Sequence, residues 1–370
     1  MKYNTIKKSI LIDLSDLEHL ESGFGQIAKN YHNLFAEENK KLGYPFELHY
    51  GVPSKWHGEK RNDVTYCTLH KNHGFFQKIF PFLRKYPKPV DLWFSVNQNC
   101  YSIPREKSTR FIFTIHDLNY INECSEQNAV KEYLHKIQKK INRSSIITFI
   151  SKYAEEVTNK NLDLKGIETK IIYNGVESLD KNKVKKPSFV KENLPFFFYI
   201  SAFYPKKKQE LLLEMMKFFP DKVLYLCGNM ETCYGKEIAE RIKSQNIKNV
   251  IAPGKISDEE RVWLYSHCEA FLFPSIGEGF GLPAIEAMQF GKPVYISNWQ
   301  ALPEICGGHA IIWNNLVPED MANVIKNTIE EFYLDKNRAE KESEYANTFS
   351  YEKHIQAYMN LFESLLANPD

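Results

Sequence analysis

The chain lacks any apolar run long enough to cross a bilayer: the longest, residues 195–205, is far short of the ~18–20 that a spanning helix needs. Its start also lacks an export signal, because Lys7 and Lys8 precede only Ser-Ile-Leu-Ile before Asp13. A cytoplasmic protein is therefore expected, at the inner face of the membrane if it touches one. The seven cysteines (67, 100, 124, 227, 233, 268 and 306) are odd in number and form no Cys-x-x-Cys pair, which suggests neither a disulfide framework nor a zinc knuckle. Asp-x-Asp does not occur, and no internal repeat or low-complexity tract interrupts the chain. With 43% hydrophobic and 25% charged residues, the composition excludes a disordered, collagenous or coiled-coil chain.

What is present is material for two domains, since 370 residues is about twice the ~150 that one domain usually takes. The net charge of +2 conceals an asymmetry: residues 1–185 hold 29 Lys+Arg against 21 Asp+Glu, and 186–370 hold 19 against 25. The basic half suits an anionic partner such as a membrane surface or a phosphorylated lipid; solvated surface charge accounts for it equally well. Short β-rich runs alternate with longer amphipathic stretches, the pattern of an α/β chain with parallel sheets. Strands are predicted at 9–13, 47–50, 91–96, 111–115, 146–150 and 170–173, then at 196–201, 223–227, 250–252, 270–273, 294–297 and 310–313. Helices are predicted at 27–38 and 130–141. Residues 177–193 are polar, with five lysines and one proline, and read as a linker. The expected domains are 1–185 and 186–350, each a Rossmann-like doubly wound sheet. Residues 351–370 carry a final helix whose apolar face (Ile355, Tyr358, Met359, Phe362, Leu365, Leu366) should pack back on the N-terminal domain.

Doubly wound sheets bind ligands at the carboxyl ends of their strands, and four motifs sit there. The most informative is Phe271-Leu-Phe-Pro-Ser-Ile-Gly-Glu-Gly-Phe-Gly-Leu-Pro-Ala-Ile-Glu-Ala-Met. A strand ends at Phe273, a glycine loop follows, and Pro283 suits the first turn of a helix whose free N–H groups can seat a diphosphate. Glu278 and Glu286 serve phosphate badly but accept hydrogen bonds from sugar hydroxyls well. The second motif, Ser201-Ala-Phe-Tyr-Pro-Lys-Lys-Lys-Gln, gathers cations after a strand. The third, Phe111-Ile-Phe-Thr-Ile-His-Asp, delivers His116 and Asp117 from a buried strand; Asp117 either fixes the imidazole or caps the next turn. The fourth, Glu21-Ser-Gly-Phe-Gly, is a short glycine loop before the first long helix.

The pair Glu278 and Glu286 in Phe-Pro-Ser-x-x-Glu-Gly-Phe-Gly-Leu-Pro-x-x-Glu-Ala-Met resembles the signature of the retaining family-four glycosyltransferases, and the resemblance extends along nearly the whole chain. It implies the GT-B fold, two facing Rossmann-like domains with an interdomain cleft. In that family the first glutamate contacts donor sugar hydroxyls and the second the nucleotide ribose. Matched by position, Glu278 and Glu286 take those roles, and the amides of Gly279, Phe280, Gly281 and Leu282 hold sugar and diphosphate. The lysine motif resembles the family's Gly-x-x-x-Pro-Arg-Lys-Asn; Lys207 matches the lysine, and Lys206 replaces the arginine without its bidentate fork. The resemblance also places His116 at the reaction centre, with Gly23 and Gly25 approaching the donor phosphate or the acceptor.

The function implied is transfer of a hexose from a nucleotide diphosphate sugar to a sugar hydroxyl of a glycan or lipid-linked acceptor, with retention. The catalytic set is His116, Glu278 and Lys207. No cofactor and no metal are expected, since lysines and helix amides replace a divalent ion at the diphosphate. The Thr-Ile-His-Asp-Leu-Asn form resembles mannosyltransferases of bacterial surface polysaccharide synthesis, including lipopolysaccharide, which favours GDP-mannose over UDP sugars. A nucleotide-sugar epimerase and a non-catalytic nucleotide-sugar or glycan-binding subunit are the alternatives. A dinucleotide oxidoreductase fails because the first Gly-x-Gly lacks its third glycine, and the scattered basic residues fit no nucleic-acid motif. Residues 74–88 mix aromatics with cations and suit a peripheral membrane contact.

Overall fold

The computed structural model describes residues 7–20, 22–69, 88–192 and 194–367. It divides into two compact units, one of residues 1–175 with 351–370 and one of residues 176–350. Among the described residues no helix is long and apolar enough to cross a membrane.

The first unit holds seven parallel strands: β1 (Lys8–Asp13), β2 (Phe46–Pro53), β3 (Thr65–Leu69), β4 (Leu92–Ser95), β5 (Arg110–Ile115), β6 (Ile146–Phe149) and β7 (Glu168–Ile171). Their spatial order is β3-β2-β1-β4-β5-β6-β7, so the winding reverses beside β1. Strand side chains alternate between faces, and the core divides accordingly. Ile10, Ile12, Phe94 and Ile112 enter one cluster with the helix Gly23–Lys41 (α1) and the C-terminal helix Tyr351–Ala367, whereas Leu11, Trp93, Phe111 and Phe113 enter another. Helices on both faces bury the sheet, which explains why its strands read as continuous apolar runs. The exception is β3, absent from the predicted strands. It is an edge strand in which only Leu69 is buried, and no apolar run marks it.

The second unit repeats the plan with β8 (Phe196–Ile200), β9 (Val223–Cys227), β10 (Val250–Gly254), β11 (Ala270–Phe273), β12 (Val294–Ser297) and β13 (Ile311–Trp313). All pairs are parallel in the order β10-β9-β8-β11-β12-β13, and the reversal lies between β8 and β11. The lysine motif follows β8 and the glycine motif follows β11, so both flank that switch point.

The boundary between units falls at Gly175/Val176 and not at 185/186. Residues 176–185 have the composition of a linker but are held to the second unit: Val176 N–H donates to Phe349 O at 2.6 Å, Lys181 Nζ to Gln289 O at 2.8 Å and Lys185 N–H to Glu259 O at 3.1 Å. The C-terminal helix lies with the first unit. His354 Nδ1–H donates to Tyr173 O at 2.6 Å, Nε2 accepts from the Tyr31 hydroxyl, and Phe362 is fully buried against Phe35 and Phe94 with ring centroids 5.7 and 5.5 Å apart. Truncating Phe362 to alanine should cost ~3–5 kcal/mol, the usual price of an aromatic cavity. Urea unfolding followed by far-UV circular dichroism checks this; a loss under about 1 kcal/mol would mean that the helix is not part of that core.

Candidate donor-sugar site

In the second unit the two motifs meet through side chain and backbone. Lys207 Nζ donates to Glu278 Oε1 in a close ion pair, the two side chains being only 12% and 11% exposed. The ammonium also lies 5.5 Å from the centre of the Phe273 ring. Behind the pair, Ile276 N–H donates to Lys206 O at 2.8 Å and Ser275 Oγ to the same oxygen at 3.4 Å, fastening the lysine loop to the glycine loop. A buried charge deprived of its partner is costly, so each member of the pair holds the other in place.

The glycine loop then turns into the short helix Leu282–Met288 through Gly281, whose φ of +100° only glycine adopts readily. A Cβ there would also lie 2.4 Å from Leu302 Cδ2. Phe280 is buried against Phe349, and Leu282 opens the helix with Pro283 behind it. Glu286, one turn in, is turned to different partners: Tyr265 Oη–H donates to its Oε2 at 3.0 Å, and Arg261 Nη1 lies 3.5 Å away. Burial pushes the Glu286 carboxyl up from its ordinary range, while Arg261 and the Tyr265 hydroxyl pull it back. Sequence reasoning missed Arg261 and Tyr265. The Ser257/Glu260 capping box foretells their helix, Asp258–His267, but nothing in the sequence pairs that helix with Glu286.

In the first unit the structure brings His116 and the N-terminal glycine loop together. Phe24, between Gly23 and Gly25, meets the imidazole edge-on with centroids 4.9 Å apart. The two glycines differ. A Cβ at Gly25 would collide with His19 O at 1.9 Å, whereas Gly23 has open space. Gly25 N–H donates to Ser22 Oγ at 3.0 Å, capping α1. His116 is 4% exposed, its Nε2–H donates to Val96 O at 2.8 Å, and its backbone N–H donates to Gln98 Oε1 at 3.1 Å. The Val96 carbonyl thus holds the ring, and Asp117 Oδ1 caps the next turn by accepting from Asn119 N–H at 2.9 Å. Residues 74–87, the bulk of the expected membrane contact, lie outside the described residues.

Burial lowers His116 and His354 alike to about 4. An unfolded histidine protonates near 6.5, so the unfolded chain takes up protons first as pH falls. The stability from keeping both rings neutral is fully present above 6.5 and is lost between 6.5 and about 4, on the order of 3 kcal/mol for each ring. Urea midpoints should fall between pH 7 and pH 5, and the double variant His116→Gln, His354→Gln should show a flatter profile. An equally steep fall in that variant would assign the acid sensitivity to other groups.

Comparison with known proteins bears on the family and the fold. Residues 180–349 match the family described as Glycosyl transferases group 1. The chain is 26% identical over 219 residues to the O-antigen chain mannosyltransferase RfbU of Salmonella typhimurium, covering 58% of this chain and 59% of the relative. It thus aligns with about three-fifths of the length of such relatives. In three dimensions it superposes on a sucrose-phosphate synthase from Thermosynechococcus elongatus with a TM-score of 0.73 at 16% identity, covering 98% of this chain and 100% of that one. The Anabaena protein HepE in complex with UDP and glucose superposes with a TM-score of 0.68 at 18% identity, covering 96% and 100%. These likenesses give the GT-B fold.

Proposed function

Because residues 180–349 match the family described as Glycosyl transferases group 1, we propose that the chain is a retaining hexosyltransferase acting from a nucleotide diphosphate sugar on a hydroxyl of a glycan or lipid-linked acceptor. One observation carries this reading: the Lys207–Glu278 pair flanking the switch point between β8 and β11. The donor diphosphate takes over the charge of Lys207, joined by Lys206. Glu278, released from its partner, then accepts hydrogen bonds from hexose hydroxyls, while the amides of residues 279–282 hold sugar and phosphate. Glu286, buried and braced by Arg261 and Tyr265, is suited to the ribose hydroxyls. Gly23 and Gly25 are assigned to the phosphate or acceptor side of the reaction.

Chemistry follows from charge. The bond from the anomeric carbon to the leaving phosphate oxygen breaks, the acceptor oxygen bonds to the same face of that carbon, and the acceptor's proton passes to the departing phosphate. Lys207 stabilises the charge that develops there. Neutral His116, with Nε2–H committed to Val96 O, keeps Nδ1 as an acceptor for a donor hydroxyl. Metal independence is part of the proposal, supported by the lysines that can take the diphosphate charge. The likeness to RfbU, a mannosyltransferase, favours GDP-mannose. UDP sugars are the second choice, since HepE holds UDP and glucose. The basic first half supports cytoplasmic action at an anionic membrane face.

A nucleoside diphosphate at ~100 times its Kd should stabilise the protein by about 2.7 kcal/mol, visible as a rise in Tm without added metal. GDP should give the larger rise, and Lys207→Ala should lose most of it when each variant is compared with and without nucleotide. Equal rises in the parent and in Lys207→Ala would remove the lysine from the site. For transfer itself, EDTA should leave the rate unchanged; a loss restored by magnesium or manganese would refute metal independence.

A further inference from the structure

Four large aromatic side chains of the second unit are exposed among the described residues: Tyr204 (47%), Phe218 (37%), Trp299 (41%) and Tyr333 (50%). Their places in the sheet separate them. Phe218 precedes β9, and the Tyr333 hydroxyl donates to Glu269 O just before β11, so both mark the amino ends of strands. Tyr204 follows β8 and Trp299 follows β12, at the carboxyl rim that carries Lys207 and Glu278. Each rim aromatic is tied by backbone to a loop of that ion pair. Lys207 N–H donates to Tyr204 O at 2.8 Å. Leu302 N–H donates to Trp299 O at 3.3 Å, and its neighbour Ala301 N–H donates to Glu278 O at 3.4 Å. Ser297 Oγ closes the junction by donating to Ser275 O.

The loop that presents Trp299 is conformationally unusual. Gln300 has φ +53°, in the left-handed region that a residue with a side chain seldom adopts. Lys208, next to Lys207, has φ +58°. Of the five non-glycine residues with positive φ among the described residues, these two lie in the loops flanking the ion pair. The Gln300 Oε1 atom is buried without a hydrogen-bond partner. Strain and an unsatisfied amide oxygen retained beside an exposed indole are features that collect where a loop is shaped for a ligand and not for stability.

We propose that Trp299 is a stacking platform for the pyranose ring of the acceptor, and so a specificity-determining residue of the transfer reaction; this rests on the donor reading given above. The donor hexose is assigned to polar partners, Glu278 and the amides of residues 279–282. A second ring next to it meets the indole, whose face suits the apolar C–H face of a pyranose and which loses little entropy on ordering. The backbone bonds from Leu302 and Ala301 set the distance from this platform to Glu278, and thereby which acceptor hydroxyl is offered to the anomeric carbon.

The test uses tryptophan fluorescence of the full chain, with GDP or UDP at saturation and the methyl α-glycosides of mannose, glucose and galactose as acceptor probes. Subtracting the response of Trp299→Phe isolates position 299 from the other tryptophans. One glycoside is expected to change this difference signal saturably. Measured by isothermal titration calorimetry, since the variant lacks the reporter, Trp299→Ala should raise that glycoside's Kd about five- to tenfold, as for loss of an aromatic stack, with nucleotide Kd unchanged. Nucleotide binding without any glycoside-dependent signal from position 299 overturns this inference alone. Equal weakening of nucleotide and glycoside by Trp299→Ala also overturns it, since the residue would then act by holding the glycine loop. Failure of both nucleotides to bind overturns the donor reading, and this inference with it.

Discussion

The ion pair between Lys207 and Glu278 is the constraint on which the second unit's carboxyl rim depends. Two charges with little solvent access must satisfy each other, and they come from loops 71 residues apart in sequence. Their pairing fixes the lysine loop after β8 against the glycine loop after β11, and the contacts of Lys206 O with Ile276 and Ser275 extend the junction into the backbone. A diphosphate arriving there meets a lysine already aimed and a glutamate whose partner it can displace. On the proposed reading, donor binding is an exchange of ionic partners, with Lys207 passing from carboxylate to phosphate.

The surrounding polar groups are ordered by the same rule, that a buried polar atom must find a partner. Glu286 is buried beneath the glycine loop because Tyr265 and Arg261 come to it from the helix Asp258–His267. His116 is buried because Val96 O and Gln98 Oε1 take its two N–H groups. Glu342 is one of several exceptions among the described residues: both its carboxylate oxygens lack partners, and burial lifts it to about 9, so it packs against its neighbours as a neutral acid. Asp13, at the end of β1, is lifted to about 7 by the same burial, with one oxygen accepting from Ser15 N–H.

The α/β class and most strands were legible in the sequence because buried parallel strands leave continuous apolar runs; β11, for example, is Ala-Phe-Leu-Phe. The edge strand β3 was not, since Thr65–Leu69 has one side of its ladder unpaired and keeps polar side chains. Composition misplaced the unit boundary, because a lysine-rich stretch reads as solvated until Gln289 O and Glu259 O are seen to hold it. The motifs and the family resemblance singled out Lys207, Glu278 and Glu286 as candidates one by one, but which carboxylate pairs with which cation depends on contacts distant in sequence. Gly23 and Gly25 look equivalent as letters; only the position of His19 O separates the glycine that the turn requires from the one it tolerates.

The central claim, that Lys207 exchanges Glu278 for the donor diphosphate, is tested most directly by a crystal structure of the protein with GDP or UDP bound. The account predicts Lys207 Nζ within hydrogen-bond distance of a β-phosphate oxygen, with Glu278 turned away from the lysine toward the space for the hexose. A nucleotide bound elsewhere, or one bound at this rim beside an unchanged Lys207–Glu278 pair, would contradict it.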